Sequence, residues 1–569
     1  MDGGLTSNAD LAPDHCQPFG QLFMTKTKVG HFMLDRIKEA GVDLTFGIPG
    51  DYVLPVYAAQ ERCGFKTVVM THEPSVGFAA DAYARIKGLG VALVTYGAGG
   101  LNIINSVALA YAEESPLLVI SGSPDTKFRS QKAELHHCVK SFESQLKVMA
   151  EVTESHALIT NPKTACEEID RVITTTRKRS RPGYLELPRD ILNIEVEIPS
   201  RIPGAVGGEP RGLSEAIAEI EARLGTAKQP VLLAGAQIHR FKTIDKVVGL
   251  VNNLNIPVVT SILGKTAFPE SHPNFIGSYF GKFGDPKVRE YVESCDLILC
   301  LGAVLTEMET GGYSASLPQD KLILANSHEL TIGQHSYPYI DFVMLLDKLL
   351  KSTTSGALKG KKFAVPSLPA EKFDLEPNQK ALSVGAMMDT LNKMLDERYR
   401  VVTDLGDCLY AGMGLKTDQF IAPGNYSSMG FGVPAGIGAQ LADPKRRSLI
   451  LAGDGGFQMT GNELTTAAKL GINPIVVLFD NASYAMMRFI DQKKDYYELN
   501  RWDYVGVAKA LGATGVKVTT KHEFQEALKS AESCTGPMLI DCIISETDIS
   551  PTLKRLTDHF GQKLRATAN

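Results

Sequence analysis

The residue types most suited to chemistry follow two apolar runs in the last third of the chain. SLILA at 448–452 predicts a buried parallel strand and leads directly into GDGG at 453–456. A second apolar run, at 474–479, leads into an Asp-Asn pair that ends at Asn481. Because the carboxyl ends of neighbouring parallel strands meet at one edge of a sheet, we expect Asp454 and Asn481 to lie close together.

These residues suit the binding of a phosphate together with a metal ion. A carboxylate, an asparagine side-chain oxygen and a nearby backbone carbonyl form a set of hard oxygen ligands for Mg²⁺. Gly455 and Gly456 let backbone N–H groups approach a phosphate, and a helix expected to begin near Thr460 adds its positive N-terminal end. For GDGG alone, the plainer alternative is a glycine turn in which Asp454 caps the next helix.

Four further candidates lie in the first quarter of the chain, each at a predicted turn or loop. Asp51 follows a tight turn, where the plainer role is to cap a helix. Glu73 stands where a strand enters a helix, and there a carboxylate also complements the helix dipole. His136 and His137 occupy a polar loop, where a solvated pair is the plainer alternative. Since histidine titrates near neutrality, an acid beside two histidines suits proton transfer.

The composition limits the classes of function. With 569 residues and 44% hydrophobic content, the chain can form about three α/β domains. The formal net charge of −5 predicts no nucleic-acid partner, and no apolar run approaches the roughly 20 residues that span a bilayer, so no membrane partner is expected. The first residues lack the basic start and apolar core of a signal peptide, and nine cysteines without a CxxC pair favour reduced thiols. We therefore expect a cytoplasmic protein.

Strand and helix patterns alternate along the chain and divide it into three α/β units. A linker is expected where Ser, Thr, Gly, Lys and Pro are frequent and periodicity is weak. The residues before Met24 predict a flexible extension, and the last residues of the chain predict a helical tail. The predicted boundaries are 1–24 for the N-terminal extension, 25–200 for the first unit, 210–350 for the central unit, 351–378 for the linker and 379–569 for the third unit with its tail.

The spacing of GDG, 24 residues and then Asp-Asn resembles the cofactor motif of thiamin-diphosphate-dependent enzymes. A series of further segments resembles, in the same order, the 2-oxo-acid decarboxylases of the pyruvate and indolepyruvate decarboxylase type: GIPGDY, HEPSVGFAADAYAR, YAEESPLLVISGSP, ELHHC and GAVLTEMETGGYSA. The phenylpyruvate and indolepyruvate branch is the most similar, because of GDCLY, NYSSMGFGVPAGIGAQ and DNASY. The resemblance extends over nearly the whole chain from about residue 25.

This resemblance implies an α/β protein of three doubly wound, parallel-sheet domains: a pyrimidine-binding, a central and a diphosphate-binding domain. It implies thiamin diphosphate and Mg²⁺ as cofactors, with Asp454, Asn481 and the main-chain oxygen of Ser483 as the metal ligands. The family usually closes its motif with Asn-Asn, whereas this chain has Asp480 before Asn481 and keeps the liganding second position. In the family the cofactor lies between the first domain of one subunit and the third of another, so a homodimer or homotetramer is expected.

The resemblance also assigns roles to individual residues. Glu73 would contact the aminopyrimidine ring nitrogen and relay a proton there. Met429 would lie beneath the cofactor and force its bent shape. Asp51, His136 and His137 would face the reacting carbon and transfer protons. The other expected cofactor contacts are Gly455, Gly456, Asp407, Cys408 and Ser427.

The implied reaction is non-oxidative decarboxylation of a small-molecule 2-oxo acid to an aldehyde and CO₂. Many family members carry a glutamate a few residues after the metal-binding turn, where this chain has Met487. A thioether neither transfers a proton nor bears charge. Its flexible apolar surface favours an aryl or long-chain substrate side chain over the methyl group of pyruvate.

Two alternatives to a decarboxylase stay open. A thiamin-dependent carboligase, similar to acetolactate synthase or to a lyase, would use a second carbonyl compound in place of a proton, and the histidine pair and the lack of an evident flavin site weigh against it. The other alternative is a protein that binds the cofactor without turnover, and the presence of Met487 leaves room for it. An NAD-dependent enzyme is not indicated, because no strand is followed by GxGxxG with an acidic residue about 20 positions further on.

Overall fold

The computed structural model describes residues 26–198, 211–338, 340–369, 371, 373, 381–491 and 494–568. Within these residues the chain forms three sheets of six or seven strands, connected largely by helices, so the prediction of three α/β units is confirmed. The N-terminal extension predicted at 1–24 lies outside the described residues, as does part of the linker predicted at 351–378.

The first domain has a six-stranded parallel sheet. Among its described residues the domain has eight strands in all, of which β2 to β7 form this sheet. They are β1 (Lys26–Lys28), β2 (Leu44–Gly47), β3 (Lys66–Val69), β4 (Gly90–Val94), β5 (Leu117–Ser123), β6 (Ser155–Leu158), β7 (Gly183–Pro188) and β8 (Glu195–Glu197). Its helices are α1 (Val29–Glu39), α2 (Leu54–Arg62), α3 (Glu73–Lys87), α4 (Ala98–Asn102), α5 (Ile104–Ala112), α6 (Thr126–Gln131), α7 (Ser144–Ala150) and α8 (Ala165–Arg179). The strand order is β3-β2-β4-β5-β7-β6, and β1 pairs with β8 in a separate antiparallel ribbon.

The central domain has a seven-stranded mixed sheet. Its helices are α9 (Leu213–Thr226), α10 (Gln237–Arg240), α11 (Ile244–Leu254), α12 (Pro286–Ser294) and α13 (Phe342–Ser355). Its strands are β9 (Pro230–Ala234), β10 (Val258–Thr260), β11 (Phe275–Ser278), β12 (Leu297–Leu301), β13 (Leu322–Ala325), β14 (Leu330–Ile332) and β15 (His335–Ser336). The order is β11-β10-β9-β12-β13-β14-β15.

The third domain has a six-stranded parallel sheet. Its strands are β16 (Tyr399–Thr403), β17 (Phe420–Ile421), β18 (Arg447–Gly453), β19 (Ile475–Asp480), β20 (Thr514–Val518) and β21 (Met538–Ile543). Its helices are α14 (Val384–Met394), α15 (Asp407–Gly412), α16 (Gly432–Ala442), α17 (Asp454–Thr460), α18 (Leu464–Leu470), α19 (Ala485–Ile490), α20 (Tyr504–Ala510), α21 (Lys521–Ser533) and α22 (Pro551–Ala568). The order is β17-β16-β18-β19-β21-β20.

Apolar residues on both faces of the strands explain the parallel sheets. Along β18, Leu449 and Leu451 enter one hydrophobic cluster, while Ile450 and Ala452 enter another. Successive strand residues point to opposite faces, so a strand that is apolar at every position is covered on both sides. The uninterrupted apolar runs in the sequence are therefore the signal for a doubly wound sheet.

The central domain departs from the sequence interpretation at two places. Strand β14 runs antiparallel to both β13 and β15, and Gly333 with φ of +58° makes the turn between β14 and β15. Helix α13 continues to Ser355, past residue 351 where the linker is predicted to begin. Serine and threonine there suggest a loop, but Ser352 and Thr353 are buried and bind side chains of α9 and α11.

Glu113, directly after α5, connects the first domain to the third. Its carboxylate is fully buried and accepts the backbone N–H groups of Asn425 at 2.8 Å and Tyr426 at 2.9 Å. The guanidinium of Arg85 lies 3.6 Å from Glu113 and 2.7 Å from the buried carboxylate of Asp81. One buried cation thus lies between two buried anions, as a low-dielectric interior requires.

Glu114, the next residue, connects the first domain to the central one. Its side chain accepts hydrogen bonds from Gln237 Nε2 at 2.9 and 3.0 Å and lies 2.5 Å from His328 Nε2. Arg240 Nε donates to the Glu114 carbonyl oxygen at 2.9 Å. Because these two adjacent carboxylates bind different domains, the end of α5 fixes the positions of all three domains relative to one another.

Helices α3 and α16 also join the first and third domains. A Cβ added at Gly438 of α16 would lie 2.0 Å from the carbonyl oxygen of Ala79 on α3, so only glycine permits this approach. Phe78 and Ala82 of α3 share a hydrophobic cluster with residues of the third sheet. Among the described residues, no helix is long and apolar enough to cross a membrane.

We expect Glu113→Ala to destabilise the protein strongly. The change leaves Arg85 buried with one partner fewer and removes the acceptor of two backbone N–H groups, which costs about 3–5 kcal/mol. The measurement is the midpoint of urea unfolding followed by circular dichroism. Glu168→Ala is the control, since the pair of Glu168 with Arg171 is exposed and contributes about 1 kcal/mol or less. Equal midpoints for the two variants would contradict this account of the junction.

Candidate active site

The carboxyl ends of β18 and β19 meet at the edge of the third sheet, where the sequence predicts a site. The two strands are parallel neighbours. Asp454 Oδ2 accepts the backbone N–H of Asn481 at 3.2 Å and that of Ala482 at 2.6 Å. Asp454 Oδ1 accepts the N–H of Gly455 at 2.8 Å. The structure therefore brings Asp454 and the turn that begins at Asn481 into direct contact.

The helix after GDGG begins earlier in the chain than the sequence indicates. A start near Thr460 is wrong, because α17 runs from Asp454 to Thr460 and a 3-10 turn at Gly461–Glu463 then leads into α18. Two glycines obscure this helix in the sequence, since glycine weakens helices. Packing compensates, because Phe457 of α17 is only 1% exposed and lies in the core. The glycine-rich segment is itself the first turn of the helix.

The residues predicted to bind Mg²⁺ lie in an acidic environment. Burial, together with the nearby charge of Asp480, raises the pKa of the Asp454 carboxyl to about 7. Arg501 Nη1 lies 3.5 Å from Asp480 but is exposed, which weakens its compensating effect. The N–H of Ser483 donates to Asn481 Oδ1 at 3.0 Å and brings the main chain of Ser483 beside the asparagine. A buried carboxylate with an acidic neighbour and a second oxygen donor fits a divalent cation.

Gly406 and Gly453 leave space at the carboxyl ends of the neighbouring strands β16 and β18. Among the described residues, nothing outside the chain neighbours lies within 4 Å of the position that a Cβ would take at either glycine. A bound group can therefore approach the backbone N–H groups at these strand ends closely. This space, bounded by backbone, fits the diphosphate that the motif predicts.

Gly455 and Gly456, in contrast, are closely packed. A Cβ at Gly455 would lie 3.3 Å from the terminal methyl group of Met429, and one at Gly456 would lie 2.9 Å from the carboxylate of Asp404. Met429 therefore stands directly beside the glycine turn. Ser427, two residues earlier, has φ of +63°, a conformation uncommon for residues other than glycine. The structure thus places Met429 next to the turn formed by Gly455 and Gly456.

Asp407 and Cys408 use their side chains for contacts within the protein. The carboxylate of Asp407 accepts the backbone N–H of Ser550 at 2.8 Å and also its hydroxyl group, and burial raises the pKa of Asp407 to about 7. The buried thiol of Cys408 donates to the carbonyl oxygen of Asp404 at 3.2 Å. An anionic phosphate would therefore meet the backbone of these two residues and not their side chains.

Glu73 is the first residue of α3, and its carboxylate accepts a hydrogen bond from Asn102 Nδ2 at 2.6 Å. The segment before it is anchored on the third domain of the same chain. Thr71 donates its N–H and its hydroxyl to Glu463 Oε1, at 3.0 and 2.6 Å. Glu463 is fully buried, so this anchor holds the start of α3 against the 3-10 turn that follows α17.

Asp51, His136 and His137 form an exposed cluster in the first domain. His136 Nε2 lies 2.8 Å from Asp51 Oδ2, and the His136 ring stacks on Tyr52 with centroids 5.0 Å apart. Partial burial raises the pKa of Asp51, but the hydrogen bond and the charge of His136 outweigh it and hold that pKa below its usual value. The three side chains are arranged to hold and transfer a proton.

The backbone of the histidine loop is fixed by the turn at Gly97. His137 has φ of +65°, and a Cβ at Gly97 would lie 2.0 Å from the carbonyl oxygen of His137. Gln145 Oε1 accepts the N–H of Gly97 at 2.6 Å. Arg129, at the end of α6, forms an ion pair with the buried Glu186. The contacts at Gly97 thus position the backbone of His137, whereas the ion pair of Arg129 anchors α6, which precedes the loop.

Sequence reasoning missed four residues that position the candidates. Asp404, which accepts the N–H groups of Gly430 and Gly432, directly follows strand β16, and its position at the carboxyl end of a strand is a signal that the sequence carries. The other three hold their partners over long distances along the chain, and their local sequence shows no such pattern. They are Gln145, Glu463 and Asn102.

Met487 lies on α19, shortly after the turn at Asn481, and its side chain is 41% exposed. Its neighbours make contacts on another side. Met486 packs against the hydrophobic cluster that includes residues of α22, and Arg488 Nη2 donates to Glu546 at 2.7 Å. Met487 is therefore exposed between two residues that contact other parts of the chain.

The candidates fall into two groups within one chain. Glu73 and the cluster of Asp51 with the two histidines belong to the first domain, whereas the oxygen ligands and the glycine turn belong to the third. Among the described residues, no hydrogen bond or ion pair joins Glu73 or that cluster to Asp454, Asn481 or Ser483.

Comparison with known proteins gives a consistent result over the whole chain. Residues 27–147 match the N-terminal TPP binding domain of thiamine pyrophosphate enzymes, residues 217–352 match the central domain, and residues 408–542 match the C-terminal TPP binding domain.

Full-length relatives show the same similarity. The chain is 37% identical to an indole-3-pyruvate decarboxylase of Azospirillum brasilense, over 94% of this chain and 98% of that protein. It is 31% identical to an alpha-keto-acid decarboxylase of Mycolicibacterium paratuberculosis, over 93% and 96%. It is 30% identical to pyruvate decarboxylase isozyme 1 of Saccharomyces cerevisiae, over 86% and 90%. The chain therefore belongs to the thiamine pyrophosphate enzymes, and within them to the thiamine-pyrophosphate-dependent 2-oxo-acid decarboxylases.

Proposed function

We propose that this decarboxylase acts on 2-oxo acids with aryl or bulky apolar side chains, such as phenylpyruvate and indolepyruvate. The observation that carries this substrate class is Met487, an exposed thioether shortly after Asn481, at the position where the family resemblance implies a glutamate in many members. A flexible apolar side chain accommodates an aromatic group and offers no charge to a small polar substrate. The similarity to a protein named indole-3-pyruvate decarboxylase supports the same class.

The proposed Mg²⁺ ligands are Asp454, Asn481 and the main-chain oxygen of Ser483. When bound, thiamin diphosphate supplies the carbon nucleophile that adds to the 2-oxo group and the electron sink that takes up the electrons released with CO₂. The protein residues hold the cofactor and the metal ion in position. The phosphate groups are proposed to bind along the backbone around Gly455 and Gly456, beside the open positions at Gly406 and Gly453, with further contacts from the backbone of residues 407–408 and from Ser427.

First-domain residues are proposed to handle protons. Asn102 holds one carboxylate oxygen of Glu73, which fixes the direction in which this acid exchanges a proton with the aminopyrimidine nitrogen. Asp51 keeps a proton shared with His136 Nε2, and with His137 they deliver it to the reacting carbon. Met487 cannot carry a proton. Glu73, Asp51 and the two histidines therefore perform every proton transfer, including those in which a glutamate takes part in many family members.

A homodimer is proposed as the smallest active assembly, and a homotetramer is compatible with it. The two groups of candidates lie on separate domains of one chain without a direct contact among the described residues, and a second chain can bring Glu73 to the partner's glycine turn. We also propose a cytoplasmic location, since no disulfide joins the cysteines of the described part of the chain.

Mixing two inactive variants tests the shared site. Glu73→Gln and Asp454→Asn are each expected to lower aldehyde release at least about 100-fold. A mixed dimer then has one doubly altered site and one intact site, so co-refolded subunits should regain about a quarter of the wild-type rate. Glu73→Gln mixed with Asp51→Asn is the control, because both changes lie on the first domain and no intact site forms. Failure of the first mixture to recover, with dimers present, would rule out a site between subunits.

Replacement of Met487 tests the substrate class. The wild type should turn over phenylpyruvate with a higher kcat/KM than pyruvate. Met487→Glu should shift that ratio toward pyruvate by about 10-fold or more, because a charge in the pocket disfavours an aryl group. Met487→Leu keeps apolar bulk and should retain the wild-type preference. A wild-type protein that prefers pyruvate would remove the proposed substrate class.

Two glycines with similar φ angles test the placement of His137. Gly97→Ala pushes a methyl group into the His137 carbonyl oxygen and should lower kcat/KM by about 100-fold, since small displacements of reacting groups are costly. Gly64 has φ of +69° but nothing near its Cβ position among the described residues, so Gly64→Ala also places a side chain at positive φ but displaces no neighbour. Equal activity of the two variants would show that the position of His137 does not matter.

A further inference from the structure

We propose that Asp51, His136 and His137 also bind a divalent transition-metal ion such as Zn²⁺, which replaces the proton shared between Asp51 and His136. This ion is distinct from the Mg²⁺ proposed in the third domain. The metal site rests on the geometry of the three side chains. Its consequence, reversible inhibition of decarboxylation, rests on the proposed function of the cluster.

The ligand atoms already lie close to the arrangement that a metal requires. One nitrogen of each histidine and one oxygen of Asp51 lie within 4.8 Å of one another, and the His136 Nε2 to Asp51 Oδ2 distance is 2.8 Å. With bonds of about 2.0–2.2 Å to Zn²⁺, ligand atoms in a tetrahedral site stand roughly 3.3–3.5 Å apart. The widest separation, at most 4.8 Å, must therefore shrink by up to about 1.3–1.5 Å, and the closest, at 2.8 Å, must widen by about 0.5–0.7 Å.

These adjustments involve exposed side chains and leave the core packing unchanged. The side chains of Asp51 and His136 are 43% and 60% exposed, and His137 is exposed as well. The backbone beneath them is held at His137, which packs against Gly97, and the N–H of Gly97 donates to the buried Gln145 Oε1 at 2.6 Å. Rotation about side-chain bonds on a fixed backbone can bring the three atoms together.

The ligand types separate the two metal ions. Two imidazole nitrogens and one carboxylate oxygen suit Zn²⁺, Ni²⁺ or Cu²⁺, which bind nitrogen readily, whereas Mg²⁺ selects oxygen ligands such as Asp454 and Asn481. With three protein ligands, a fourth position stays open for water or a substrate oxygen.

Tyr52 supports His136 from the side away from Asp51. Its hydroxyl lies 3.5 Å from His136 Nδ1, and the two rings are stacked with an interplanar angle of 20°. A partner at the second ring nitrogen orients a metal-binding histidine and fixes which nitrogen faces the ion. Tyr52 thus acts as a positioning residue, with Nε2 of His136 directed toward the carboxylate.

A metal ion at this place would block the proposed proton steps directly. The ion occupies the lone pairs through which the histidines accept protons, so His136 and His137 no longer exchange them. The glycine turn and the oxygen ligands of the third domain stay unchanged. Zn²⁺ is therefore expected to lower kcat while bound Mg²⁺ and thiamin diphosphate stay in place, and a chelator is expected to restore activity.

The test uses the holoenzyme with thiamin diphosphate and Mg²⁺, freed of other metals and titrated with Zn²⁺ in competition with a chromogenic chelator. Elemental analysis should find one Zn²⁺ bound per chain with Mg²⁺ retained. His136→Gln and His137→Gln should each weaken Zn²⁺ affinity by more than about 10-fold, since even the loss of an outer partner costs 10- to 100-fold. Absorption bands of bound Co²⁺ report the nitrogen and oxygen ligands independently of activity.

Two variants serve as matched controls. His335 lies 2.9 Å from Glu219 on an exposed surface, so it is a histidine–carboxylate pair without a second histidine, and His335→Gln should leave Zn²⁺ affinity unchanged. Cys138 is a half-buried thiol next to the cluster, and Cys138→Ser should also retain binding.

Three results would overturn the proposed metal site. They are unchanged Zn²⁺ affinity in both His136→Gln and His137→Gln, displacement of Mg²⁺ one for one, and loss of Zn²⁺ binding in Cys138→Ser. A protein that binds Zn²⁺ as expected but decarboxylates no 2-oxo acid would instead overturn the proposed function and leave the metal site standing.

Discussion

The burial of two adjacent carboxylates is the constraint on which the arrangement of the domains depends. Glu113 and Glu114 lie at the end of α5, almost without exposure, and a buried carboxylate is tolerated only when paired and hydrogen-bonded. The third domain satisfies Glu113 with two backbone N–H groups, and the central domain satisfies Glu114 with Gln237 and His328. Separation of the domains would leave both charges without these partners.

The same constraint reaches the candidate active site. The N–H groups that bind Glu113 belong to Asn425 and Tyr426, immediately before Ser427, and Asn105 Nδ2 donates to Ser428 Oγ at 2.8 Å. The segment so held continues to Met429, which lies against the glycine turn. The first domain therefore helps to determine where Met429 of the third domain lies against the glycine turn, within one chain.

Local patterns in the sequence predict many of the strands and helices. The ends of some helices and the contacts between domains depend on residues that are far apart in the chain. The apolar runs before Asp454 and Asn481 gave strands β18 and β19, because a strand buried on both faces must be apolar at every position. The start of α17 was misplaced, because glycine conceals a helix that Phe457 holds by packing. The bond from Asn425 to Glu113 spans 312 residues, so no local pattern indicates it.

The replacement of asparagine by Asp480 in the closing pair shows how a local change acts through the interior. The sequence indicates only that Asn481, the expected metal ligand, is retained. The structure adds that Asp480 is 2% exposed and that its charge contributes to the raised pKa of Asp454. A second buried carboxylate makes the site more negative, which raises the gain from a bound divalent cation while making the ligand-free site less favourable.

Strained backbone occurs at three of the loops that form the site. His137, Ser427 and Ala482 have φ of +65°, +63° and +52°, and such left-handed conformations cost residues other than glycine about 1 kcal/mol or more each. Each is held by contacts from another part of the chain: packing at Gly97 for the first, the loop bonds to Glu113 for the second and the carboxylate of Asp454 for the third. Because strained conformations persist only where the surroundings enforce them, the geometry of the candidate site depends on contacts from distant parts of the chain as well as on its local motifs.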